Sequence, residues 1–164
     1  MAIVIPGKTT CPICGCVIGE GDEMVAFAPF VLNEADPLIL FSDAACHRRC
    51  FESHPLSGQC RAVYEEFRKR LIPTQRTCAE CGEEISGPDE YFPLGYLTSD
   101  TDHPLFRFNH LQFHRSCLAE SESLTELFEA LDQALRSGEF TGLGAESLRC
   151  RLEELMNPQP SPRP

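Results

Sequence analysis

The sequence repeats its cysteines and histidines at one fixed offset. Cys11 falls on Cys78, Cys14 on Cys81, His47 on His114 and Cys50 on Cys117, an offset of 67 in every case (78 minus 11). Each half therefore reads Cys-x2-Cys-x32-His-x2-Cys without a gap. Thr10/Thr77, Gly15/Gly82, Ile18/Ile85, Asp22/Asp89, Glu23/Glu90, Pro37/Pro104, Leu38/Leu105, Phe41/Phe108 and Arg48/Arg115 hold the same register. An internal duplication of this kind demands that each half build one copy of the same unit.

The spacing fits a structural zinc ion, which takes four thiolate or imidazole donors in a tetrahedron. Cys-x2-Cys lets a tight turn aim two sulfurs at one point, and Gly15 and Gly82 just after each pair permit that turn. His-x2-Cys places two donors on one face of a helix's first turn. Ser42 and Asp43 in the first half, and Asn109 in the second, read as helix-start residues. The expected ligands are Cys11, Cys14, His47 and Cys50 for one ion and Cys78, Cys81, His114 and Cys117 for the other, with zinc as cofactor at both. Scattered core thiols would not produce eight matched positions.

Ten cysteines without a secretory leader point to a reducing compartment and to metal rather than disulfides. The first residues lack a basic lead and a sustained apolar run, so the expected location is cytoplasmic. Cys46 and Cys60 align with Phe113 and Leu124 and read as buried thiols. Cys16 aligns with Glu83 and reads as exposed; it competes with Cys14 as a ligand, and the register favours Cys14. Cys150 has no counterpart. His54, His103 and His110 read as ordinary loop or helix residues.

Between the ligand pairs, residues 24–32 and 38–41, and again 91–97 and 105–108, read as two short strands joined by a polar turn. A helix follows in each half. Cys60, Val63, Tyr64, Phe67 and Leu71 share one face, and Leu124, Leu127, Phe128, Leu131 and Leu135 repeat the spacing 64 residues on, with Ser57 and Ser121 at cap positions. Pro73 and Gly138 end the two units. Leu148, Leu152, Leu155 and Met156 mark a further amphipathic helix. The expected fold is α+β: zinc-binding unit 1 over residues 1–73, zinc-binding unit 2 over 74–140, a C-terminal helix over 141–157 and a disordered, proline-rich tail over 158–164. Each unit is near the lower size limit for independent folding, so zinc is expected to be part of the fold, and chelation to unfold the chain.

A knuckle, a β-hairpin, a ligand helix that supplies the last two donors and a packing helix resemble a treble-clef zinc finger over residues 11–51 and 78–118. The long insert before His-x2-Cys is similar to the poly(ADP-ribose) polymerase-type finger, which implies recognition of DNA breaks. The spacing also resembles the first half of a LIM domain, which implies protein interaction. The chain departs from both. Ala45-Cys46 and Gln112-Phe113 stand where the polymerase-type finger has aromatic residues before its histidine, and residues 17–45 contain no Lys or Arg. No second quartet follows Cys50 or Cys117 as a LIM domain requires.

Charge separates the function classes. The net charge is -11, and it is uneven: residues 1–70 carry 7 basic and 9 acidic side chains, residues 71–164 carry 7 and 16. Such a balance favours a basic partner over phosphate. Arg48-Arg49, Arg115 and Arg68-Lys69-Arg70 are the features that support nucleic-acid binding. An enzyme is not expected, because complete quartets leave no open position for water and no His-Glu-x-x-His, phosphate loop or Gly-x-Ser-x-Gly occurs. The reading favoured is a non-enzymatic protein-interaction module, specifically an acidic inhibitor of immunity-protein or antitoxin type against a basic protein. The alternative is a tandem-finger nucleic-acid (DNA-break) binder. For the favoured protein-interaction reading, residues 33–37, residues 98–103 and the helix face with Glu122, Glu126, Glu129 and Asp132 are the candidate contacts to a basic protein. No membrane partner is expected.

Overall fold

A computed structural model describes residues 3–71 and 76–157, with the side chain of Arg70 outside the description. Pro73 and the tail at 158–164 therefore lie outside the described residues. The elements are β1 (Met24–Ala26), β2 (Ala45–His47), α1 (Arg48–Glu52), α2 (Ser57–Arg70), β3 (Tyr91–Pro93), β4 (Gln112–His114), α3 (Arg115–Ala119), α4 (Glu122–Ser137) and α5 (Leu143–Met156). The class is α+β, with two small antiparallel sheets. β1 pairs β2 with Met24 opposite His47, and β3 pairs β4 with Tyr91 opposite His114. These pairs keep the offset of the sequence repeat.

The expected hairpins form with different second strands. Residues 38–41 lie in a 3-10 helix, Pro37–Phe41, and residues 106–108 in another, Phe106–Phe108. The reason is local. Asp36 caps the first of these turns by accepting from the Leu38 N–H, and Pro37 sits at its start, where its missing N–H costs nothing. Leu38 and Phe41, three residues apart, then face the same way at three residues per turn, and both are fully buried.

The predicted helix starts also shift. His47 and His114 themselves stand at the N-termini of α1 and α3. Ser42 and Asn109 instead hold the insert in place. Ser42 Oγ accepts from the N–H groups of Phe30 and Val31, and Asn109 Oδ1 from those of Leu97 and Thr98, again 67 residues apart. Ser121 caps α4 by accepting from Ser123 N–H. Ser57 does not cap; it is the first residue of α2, preceded by Leu56.

Each half has its own apolar cluster. The first gathers Ile18, Phe27, Phe30, Leu38, Phe41, Cys46, Phe51 and Cys60. Tyr64 meets Phe27 edge-on at 5.0 Å and accepts a hydrogen bond from Ala28 N–H. Cys46 and Cys60 are buried as expected, and burial pushes both thiols up to about 12. Leu71, expected on the buried face of α2, is exposed. The second cluster contains Phe92, Phe113, Leu118, Leu127, Leu131, Leu148 and Leu152, so α5 packs into the same core as α4. Met156, expected on that apolar face, is 40% exposed at the helix end. Gly138 ends α4 in the left-handed conformation at φ 79°, as its position implied.

The halves are cross-locked. Val31 bridges Tyr96, and the halves exchange residues at this crossing: Tyr96 packs in the first cluster and Leu32, next to Val31, against the second. Leu32 fits because Gly95 and Gly144 lack side chains; a Cβ at either would stand 3.0 Å from Leu32. Asn33 is buried, donates to Glu139 C=O and accepts from Thr141 N–H, while Asp36 Oδ2 accepts from Ser99 N–H. Asn33 and Asp36 thus join the halves, while Glu34, Ala35 and Pro37 in the same stretch are exposed. Among the described residues no helix is long and apolar enough to cross a membrane.

Candidate metal centres

The two knuckles are built alike. Gly15 N–H donates to Cys11 C=O at 2.8 Å and Gly82 N–H to Cys78 C=O at 2.9 Å, with both glycines at positive φ, 72° and 76°. This closes the turn that aims two sulfurs inward. The sheets then deliver the other donors. His47 and His114 are the last residues of β2 and β4, and Arg48 and Arg115 N–H groups bond to Glu23 and Glu90 C=O. Cys50 and Cys117 follow three residues on, in the first turns of α1 and α3.

The result is two clusters, Cys11, Cys14, His47, Cys50 and Cys78, Cys81, His114, Cys117, whose donor atoms lie within 4.8 Å of one another. Cys14 Sγ stands 3.5 Å from His47 Nδ1, and Cys81 Sγ stands 3.4 Å from His114 Nδ1. Tetrahedral arms of about 2.3 Å to sulfur and about 2.0–2.1 Å to nitrogen give sulfur–nitrogen edges of about 3.5 Å, so both clusters fit an ion of zinc's size and preference. All eight expected ligands are brought together. Cys16 stays outside, its Sγ over Cys14 C=O, and is exposed. Cys150 is exposed and remote in sequence from either cluster.

The electrostatics prepare each cluster for a cation. Burial opposes ionisation of Cys11, but N–H groups of Cys14, His47 and Ile13 directed at its sulfur outweigh burial and lower the thiol to about 6. Cys78 is likewise lowered to about 6, against burial, by N–H groups of Cys81, His114 and Glu80. Cys50 and Cys117 are pushed up to about 11, chiefly by burial and then by the neighbouring thiolates. Negative charge already held on one sulfur discourages a second, and a divalent cation removes that conflict.

The outer edge of the first histidine has a partner that spacing alone did not single out. His47 Nε2 lies 3.4 Å from Asp22 Oδ2. Asp22 was visible in the repeat as a match to Asp89; the different residues beside it, Gly21 and Pro88, were the signal that the two would behave differently. The other three histidines serve the loops. His54 and His103 accept at Nδ1 from Leu56 and Leu105 N–H, and His110 stacks on Tyr96.

No protein-family model, curated protein or solved structure matches this chain.

Proposed function

We propose that the chain is a non-enzymatic zinc-binding interaction module. Two treble-clef-like units hold structural zinc ions and present an acidic surface to a basic protein, as an inhibitor of immunity-protein or antitoxin type would. The observation that carries this reading is the charge left uncompensated on the second unit. Glu83, Glu84, Asp89 and Glu90 are exposed around its knuckle and form no ion pair among the described residues. Their counterparts in the first unit are Cys16, Val17, Asp22 and Glu23, of which Asp22 faces His47 and Glu23 pairs with Arg48. On α4, Glu126 and Asp132 are taken up by Arg107 and Arg136, which leaves Glu122 and Glu129 free of ion pairs among the described residues. Four protein donors per cluster leave no protein-defined open position for catalysis.

The alternative, nucleic-acid binding, depends on basic residues of which several are already engaged, while Arg49 and Arg68 form no ion pair among the described residues. Arg48 pairs with Glu23 and Glu52, Lys69 pairs with Glu66, and Arg115 lies over the Phe92 ring. The test compares partners directly. Complexes recovered from source cells should contain a basic protein whose association rate falls as salt rises, and Glu83→Lys with Glu84→Lys should slow association about tenfold, in the range that electrostatic steering supplies. Association unaffected by salt and by these charge reversals would refute acidic steering. Tight binding of nicked duplex DNA at moderate salt would replace the reading with its alternative.

A further inference from the structure

We infer that the two metal sites are unequal, and that Asp22 is the positioning residue that makes the first the tighter one. The inference rests on the metal-binding reading above. Both histidines turn Nδ1 toward their sulfurs, which leaves Nε2 as the outward N–H of a neutral, metal-bound ring. In the first site that edge faces Asp22 Oδ2 at 3.4 Å, and the same oxygen is held in place by Gly19 N–H at 2.7 Å. A carboxylate there orients the ring and raises the basicity of the ligating nitrogen. Among the described residues His114 has no ion pair with a carboxylate, although Asp89 occupies the matching position in the chain.

The backbone explains the difference. The turn that presents Asp22 contains Gly21 at φ +90°, a conformation strained for residues with a side chain. The matching residue is Pro88, whose ring locks φ near about −65°. The second turn closes elsewhere. Asp22 N–H bonds back to Gly19 C=O, whereas in the second unit it is Tyr91 N–H that bonds back, to Pro88 C=O, two positions later in the repeat. The carboxylate that then lies over the loop glycine is Glu90 over Gly87, in place of Asp22 over Gly19. One matched pair of aspartates thus has two different surroundings, set by a glycine in one copy and a proline in the other.

The experiment is zinc release from the full chain to a coloured chelator, followed by stopped flow. The wild-type protein should give up two zinc ions in two phases of equal amplitude. Asp22→Asn, half-exposed and isosteric, should speed the slow phase about tenfold, the lower end of what outer-shell partners contribute, and leave the fast phase unchanged. Asp89→Asn should change neither phase. Circular dichroism of the zinc-loaded variants checks that each is folded. As a second readout, the protein loaded with cadmium-113 should show two resonances, of which Asp22→Asn moves one. Two zinc ions leaving in a single phase, a slow phase unaltered by Asp22→Asn, or an equal response to Asp89→Asn would overturn the inequality while leaving the metal sites standing. A chain that takes up no zinc would overturn the metal reading beneath it.

Discussion

At the scale of single residues, the chemistry of each cluster is divided between its sulfurs. Cys11 and Cys78, at about 6, are thiolates at neutral pH, and Cys50 and Cys117, at about 11, are thiols. A bound ion requires all of them deprotonated, so binding releases protons and apparent affinity rises with pH. The sign follows from the direction of each shift. Above about 6 Cys11 and Cys78 are ready for metal while Cys50 and Cys117 must still yield protons; below about 6 Cys11 and Cys78 take up protons as well, and affinity falls more steeply. Calorimetry of zinc binding at neutral pH, in two buffers of different ionisation enthalpy, should report at least one proton expelled per ion. No buffer dependence would show that the raised cysteines are not ligands. All eight clustered donors were legible in the sequence because a tetrahedral Cys3His cluster requires a spacing that survives as letters. Asp22 was legible only as a conserved letter of the repeat, since its contact depends on the φ angle of Gly21, which no pattern of polar and apolar residues reports.

At the scale of elements, the helices were legible and the strands less so. α4 carries Leu124, Leu127 and Leu131 at helical spacing, and all three are buried. Leu127→Ala should cost about 2–5 kcal/mol by urea unfolding, the range for deleting a fully buried leucine side chain. Leu71→Ala, on the matching helix of the first half, should change stability little, because Leu71 is exposed. The helices differ because α5 packs into the core of the second half. In the first half a group of rings from Phe27, Phe30, Tyr64 and Phe67 fills the corresponding core. The strands misled for a physical reason. Leu38-Ile39-Leu40-Phe41 is an apolar run too short for its period to choose between strand and helix, and the choice was made by Asp36 and Pro37 at its start. The strands that do form are three residues long, and in β2 and β4 one of those residues is the histidine of a candidate metal cluster, so pairing there serves the cluster as much as the sheet.

At the scale of the whole molecule, the repeat became two cores that exchange residues. That exchange was invisible in the sequence because Leu32 and Tyr96 are not equivalent positions of the repeat; the contact breaks the symmetry that revealed the units. Asn33→Ala should remove the part-buried hydrogen bonds to Glu139 C=O and from Thr141 N–H and cost about 1–2 kcal/mol, read as a lower midpoint in urea. A midpoint equal to wild type would mean that the halves are not held by this junction. We propose that two ions complete this fold. Native mass spectrometry of the full chain through a chelator titration tests it most directly. Compact, low-charge ions should carry two zinc masses, and their loss should coincide with highly charged ions of the unfolded chain. Compact ions that persist after both metals have gone would show that the fold stands without them.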